Sequence, residues 1–224
     1  MKFLTRLTVF LSFLIMVQNA YAASNNIYVD QIGSGSIINM TQTGSGNNMG
    51  TQTSRVILNG DTNLITVDQI GNSNSADINV EGDGNTINSQ FTGDSNQLSI
   101  LCTFCSMVGI TDTVMGSGNE ISHIIDSSGG TSTVNVESDN NTISITNDSS
   151  AINGSSSNVD ISGGNGNEVS ILQTGVASTM GHYVDLTIDG ATNSVLIEQG
   201  GAVDSNVSAT ITGSGNTVDI RSNR

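Results

Sequence analysis

The sequence predicts an all-β fold: a two-sheet parallel β-solenoid of about nine coils, with roughly 22 residues and two strands per coil. Three observations carry this prediction. Turn signals recur at an 11-residue step, apolar and polar residues alternate strictly between them, and the chain contains neither Pro nor Trp.

The step is clearest where Gly-x-x-Asn occurs at Gly60 to Asn63, Gly71 to Asn74, Gly82 to Asn85 and Gly93 to Asn96. Between these turns Asn63, Ile65, Val67 and Gln69 fall on one face, followed by Asn74, Ala76, Ile78 and Val80. Thr66, Asp68, Asp77 and Asn79 fall on the other. A period of two is the signature of a strand, and helical spacing fits none of it. Each 11-residue unit is therefore one strand plus one tight turn. A single such strand cannot bury its apolar face, so two units fold back on each other and the pair stacks on the next pair.

Further along, turn asparagines recur at Asn119, Asn141, Asn167, Asn193 and Asn216, with steps of 22, 26, 26 and 23 residues. Val134 and Val136 are expected to face Ile143 and Ile145, and Val159 and Ile161 to face Val169 and Ile171. Val184, Leu186 and Ile188 would face Val195 and Ile197, and Val207, Ala209 and Ile211 would face Val218 and Ile220. At an inter-strand spacing of about 4.8 Å the rod would be roughly 40 Å long.

So polar a composition resembles that of disordered chains, which cannot bury enough apolar surface to offset chain entropy. Disorder gives no reason for strict alternation. In a solenoid, thin stripes of Ile, Val, Leu and Ala suffice between sheets about 10 Å apart. Buried amides can stack on their counterparts one coil away, each donating and accepting along a ladder. The expected ladder residues are Asn63, Gln69, Asn74, Asn85, Asn96, Asn119, Asn141, Asn167, Gln173, Asn193, Gln199 and Asn216. Gly supplies positive φ at the corners, and Pro, which would delete ladder donors, is absent.

Residues 1–22 read as a secretory signal peptide. Lys2 and Arg6 form a positive n-region, Leu7 to Val17 is apolar, and Ala20-Tyr21-Ala22 is a small-residue cleavage site. The apolar run is too short for a bilayer span, which needs about 20 residues. Residues 23–224 then form a single repeat domain, with an irregular insert expected near 101–115. Two of the five basic residues leave with the leader and all twenty acids stay, so the domain carries a net charge of −17. Such a surface repels phosphate backbones and anionic lipid, which argues against a nucleic-acid partner.

At this point the residues resemble the curlin subunits of bacterial curli fibres, whose repeats follow Gln-x-Gly-x-x-Asn-x-Ala-x-Val-x-Gln. The best match is Gln69-Ile70-Gly71-Asn72-Ser73-Asn74-Ser75-Ala76, and a second runs from Gln31 and Gly33 to Gln42. Gln173 with Gly175 and Gln199 with Gly200 are weaker echoes. The pattern is degenerate in the C-terminal half, where many Gln positions hold Thr, Asn or Asp. The resemblance implies a Gram-negative protein exported through the periplasm and outer-membrane secretion machinery. It also implies end-to-end β stacking with itself and other curlin-like subunits into extracellular amyloid fibres used in adhesion and biofilm matrix. The departures suit a minor or nucleating subunit.

The search for chemistry returns no catalytic set. Cys102 and Cys105 form a Cys-x-x-Cys pair, but no helix begins there as a thioredoxin-like site requires. A zinc site would need two further ligands, and His123 and His182 are isolated from the pair. A disulfide clamping an irregular turn is the expected state, and it requires a bend at Thr103-Phe104. His123 falls on the inward register with Asn119, Ile121 and Ile125, with no carboxylate and nucleophile at a recognisable spacing, and reads as a hydrogen-bonded core residue. His182 reads as a surface turn residue. The turns Gly82-Asp83-Gly84-Asn85 and Gly163-Gly164-Asn165-Gly166-Asn167 differ from calcium-binding nonapeptide rolls by holding Asn in place of Asp. No metal, cofactor or small-molecule substrate is expected, and no enzymatic activity.

Two function classes remain. In the first the open sheet edges, with no Pro to cover them, stack into fibres, and the outward acids Asp68, Asp77, Asp83 and Asp94 slow association until the chain is outside the cell. In the second a soluble or surface-held β-solenoid adhesin displays Thr, Asn and Asp rows to a ligand without polymerising.

Overall fold

A computed structural model describes residues 25–222 except 28, 33–35, 45, 51–55, 60–62, 72, 83, 94, 107, 117, 138–139, 150–154, 165, 176–181, 191, 202–204 and 214. The leader reading of 1–22 lies outside the described residues, as do Gly33, Asp83 and Asp94.

The described residues form strands and turns with no helix. Strands alternate along the chain between two sheets. The first sheet holds eight: Ile37–Thr43, Leu64–Ile70, Thr86–Thr92, Gly109–Met115, Thr131–Glu137, Ser156–Gly164, Tyr183–Gly190 and Asn206–Thr212. The second holds nine: Asp30–Ile32, Val56–Asn59, Ala76–Glu81, Gln97–Ser106, Glu120–Ser128, Thr142–Ser149, Glu168–Gly175, Val195–Gln199 and Val218–Ser222. A short pair, Asn25–Asn26 with Asn47–Asn48, completes the start. Every pairing is parallel. The architecture is a parallel β-solenoid with two sheets.

In-register stacking follows from the repeat step. Ile65 pairs with Ile87 and Ile87 with Ile110, so one inward column is Ile on three successive strands, each 1 % exposed or less. In the second sheet, on later coils, Ile145, Ile171 and Ile197 form another such column with no exposed surface. β-Branched side chains suit both the pleat and the thin space between sheets. Where the step lengthens to 26, as from Thr142 to Glu168, the register holds, so the connections take up the extra residues. The outward residues Thr66, Asp68, Asp77 and Asn79 are half-buried, as strand alternation requires.

One turn depends on glycine for a specific reason. Gly71 and Gly93 have φ of 136° and 145°, and a Cβ on Gly93 would land on the Gly71 carbonyl oxygen. A Cβ on Gly71 would meet the Gly44 carbonyl in the same way. The stacked turns thus approach each other through bare backbone.

The stretch 101–115, expected as an irregular insert, is strand over most of its length. Gly109–Met115 pairs residue for residue with Thr86–Thr92. Among the described residues the irregularity is a bulge at the cysteine pair, where Ile125 pairs with Cys102 and Ser127 with Cys105.

Candidate functional site

Two features of the solenoid bear on function: the polar columns inside it and the open coil at its C-terminal end. The longest polar column lies at the corner preceding the strands of the second sheet. Asn74 Nδ2 donates to Asn47 Oδ1 at 2.8 Å, Asn96 to Asn74 at 2.7 Å and Asn119 to Asn96 at 2.8 Å. Asn141, Asn167 and Asn193 continue the series, each at 2.7 Å from the asparagine one coil earlier, and Asn216 donates to Asn193. Every donor points toward the N-terminal end. All members from Asn47 to Asn193 are buried, and Asn216 is exposed on the last coil.

The opposite corner is different. Asn63 Nδ2 donates to Asn85 Oδ1 at 2.8 Å, but backbone bonds place Val108, Gly130, Ser155 and His182 on the following coils of that column. This corrects the expectation for His182. It is buried, 1 % exposed, because it occupies the corner position that Asn63 and Asn85 hold earlier.

The glutamines divide into two kinds. Gln42 and Gln69 are in register, and each braces its own turn, donating to the Asn48 and Ser75 carbonyls respectively, both at 3.2 Å. Gln69 makes no amide ladder with the next coil, where its partner is Phe91. Gln173 and Gln199 do stack. Asn147 donates to Gln173 Oε1 at 3.0 Å, and Gln173 donates to Gln199 Oε1 at 2.8 Å. Gln31 is in the second sheet, and Ala76 is buried.

Cys102 and Cys105 form a disulfide with a Cα separation of 6.0 Å. Both are buried, while Phe104 between them has φ of 55° and is 82 % exposed. The left-handed Phe104 is the bend that lets both cysteines face inward, since residues three apart on a straight strand face opposite ways.

His123 has partners that the sequence reading did not assign to it. Its Nε2 lies 2.6 Å from Asp112 Oδ2, and its Nδ1 lies 2.8 Å from Ser132 Oγ. Ser89 Oγ donates to the other oxygen of Asp112. Asp112 and His123 have no exposed side-chain surface. Their 11-residue separation in the sequence equals one repeat step, which places them on facing strands. A serine, a histidine and an aspartate meet here, yet the cluster is sealed between the sheets where no substrate can reach it. Its polar atoms stabilise one another in the core.

At the C-terminal end, Val218 and Ile220 are 45 % and 46 % exposed, whereas Val195 and Ile197 one coil earlier are 2 % and 0 %. Arg221 is the only Lys or Arg among the described residues. It donates to Glu198 Oε1 at 2.6 Å and to Asp219 Oδ2 at 2.5 Å. The guanidinium holds the Asp219 carboxyl below its ordinary range. Among the described residues no three His, Cys, Asp or Glu side chains converge as metal ligands would.

Fold and polar columns together define a structural repeat protein. The family model of the curlin associated repeat matches residues 60–88, which is 29 of the 224 residues. The match spans the strands Leu64–Ile70 and Ala76–Glu81 and enters the next, and it points to a curli-type structural protein of a non-enzymatic family. No curated protein and no solved structure matches the chain significantly.

Proposed function

We propose that the protein is a secreted subunit that polymerises into curli-like extracellular amyloid fibres, acting in adhesion and biofilm matrix as a minor or nucleating subunit. The rod has about nine coils. The observation that carries this reading is the exposure of the coil formed by Asn206–Thr212 and Val218–Ser222. Val218 and Ile220 leave nearly half their surface open, and Asn216 ends the asparagine column in solvent. The unpaired edge of Asn206–Thr212 offers backbone donors and acceptors to a further strand. A coil added there continues the columns and buries the open residues, which is the geometry of cross-β growth.

The short curlin match at residues 60–88 supports the same reading. The partners are further copies of this chain and other curlin-like subunits, with outer-membrane secretion machinery delivering the chain to the cell surface. Incubating the chain that lacks residues 1–22, followed by thioflavin fluorescence and electron microscopy, tests the proposal. Fibres are expected, nucleated faster by seeds of a known curlin. A persistent monomeric rod at high concentration would move the assignment to a surface-held adhesin.

A further inference from the structure

The disulfide bulge turns an aromatic ring out of the second sheet. From Cys102 to Cys105 the chain takes three steps, while Ile125 to Ser127 on the next coil takes two. Both cysteines are buried, so Thr103 and Phe104 stand outside where Asp126 alone stands on the coil after. Phe104 is the most exposed of the large apolar residues among the described residues, and its φ of 55° is one that bulky side chains rarely adopt. Core packing explains neither property. Bulges and left-handed non-glycine residues concentrate where a protein re-aims a side chain for contact.

The surroundings of the ring are apolar on one side and acidic at its edges. Leu101, three residues earlier, pairs with Ile124, which is 49 % exposed, so two aliphatic side chains share the outward face. Thr103 pairs with Glu81 on the coil before, and the exposed Asp126 lies opposite the bulge on the coil after. An acidic residue is thus about one strand spacing, about 4.8 Å, from the Thr103-Phe104 pair on either side. Arg221 does not balance Asp126, because Glu198 and Asp219 hold it.

We propose that Phe104, with Leu101 and Ile124 beside it and Glu81 and Asp126 at its edges, is a docking surface for a basic segment of another protein, one that carries Arg or Lys next to apolar side chains. The ring face attracts a cation, the acids at its rim reinforce that attraction, and the aliphatic pair receives the apolar neighbours. Charge selects this occupant over others. A second copy without residues 1–22 brings three arginines against twenty acids, and an anionic lipid surface is repelled. The strand Gln97–Ser106 lies inside the sheet, between Ala76–Glu81 and Glu120–Ser128, so the patch is on the flank of the rod and away from its open edges. The inference therefore holds whether the rods polymerise or stay single.

The test is fluorescence polarisation of a short labelled peptide alternating Arg and Leu, titrated with the chain lacking residues 1–22. Matched peptides with Glu in place of Arg, or Ser in place of Leu, are the controls, and both should bind more weakly. Phe104→Ser is expected to weaken binding about tenfold, Asp126→Asn about three- to fivefold, and Phe104→Tyr less than about twofold. Asp160→Asn removes the same charge from an exposed outward position on the first sheet, and should change binding less than about twofold. Circular dichroism checks that each variant keeps its β content. Phe104→Gly, which suits the left-handed φ, should show the same loss if Phe104→Ser folds poorly. Equal losses for Asp126→Asn and Asp160→Asn, or none for Phe104→Ser and Phe104→Gly, would reduce the binding to diffuse charge and overturn the site. Equal binding of the Glu and Arg peptides would overturn the basic partner, as would self-association of the chain that Phe104→Ser abolishes.

Discussion

His123 Nε2 and Asp112 Oδ2 lie 2.6 Å apart with both side chains wholly enclosed between the sheets. Burying one of these groups without the other leaves a polar atom that neither water nor protein can satisfy. Asp112→Ala or His123→Leu alone is therefore expected to cost about 3–5 kcal/mol. The joint replacement Asp112→Val with His123→Ile, matching the residues Val134 and Ile145 next in each column, should recover most of that loss. Urea unfolding of the four species of the cycle gives the coupling.

Asn119 both donates to Asn96 and accepts from Asn141. Asn119→Ala strands one buried acceptor and one buried donor, and is expected to destabilise by about 2–5 kcal/mol. Asn216→Ala removes only the exposed end of the same column and should cost under about 1 kcal/mol. Unfolding midpoints of the two variants check the contrast.

Much of the fold was legible because its signal is local and periodic. The alternation at Ile65, Val67 and Gln69 marks inward positions, and all three are buried. The asparagines 74 to 216 recur at a step that keeps them on one corner, where the hydrogen bonds are found. Gln69 could not be placed by residue type alone, since a ladder needs an amide one coil on and that position holds Phe91. His182 was misread because the chain before it departs from the 22-residue step, so counting lost the corner column. The Asp112 pairing was readable in principle, from an acid at an inward position one repeat step before an inward histidine.

Two glycines separate clash from backbone strain. Gly93→Ala would drive its Cβ onto the Gly71 carbonyl at a φ of 145°, and is expected to cost more than about 3 kcal/mol or to prevent folding. Gly163 has φ of 70° with open space around it, so Gly163→Ala should cost about 1–2 kcal/mol. Thermal melts of both variants distinguish the two effects.

The Cys102–Cys105 bond closes a loop of only two intervening residues. Its contribution through chain entropy is accordingly small, about 2 kcal/mol. Reduction, or Cys102→Ala with Cys105→Ala, should lower the melting temperature while leaving the circular dichroism spectrum β-rich, because the flanking strands are held by their own register.

Asp219 is held by Arg221 below its ordinary value of 3.8. A depressed folded value means the contact is fully present above that ordinary value and is lost as pH falls through the lower one. Acidification below about pH 4 is thus expected to release Arg221 from Asp219, and NMR titration of the Asp219 carboxyl carbon reads the midpoint directly.

Parallel coils stack within the chain, and on the fibre reading they continue between chains. Fibre diffraction from aligned assemblies of the chain lacking residues 1–22 tests it most directly. Coils continuous between chains give a meridional reflection at about 4.7–4.8 Å with an equatorial one near 10 Å. Assemblies without the meridional reflection, or a chain that stays a single rod under conditions where curlin seeds elongate, would contradict it.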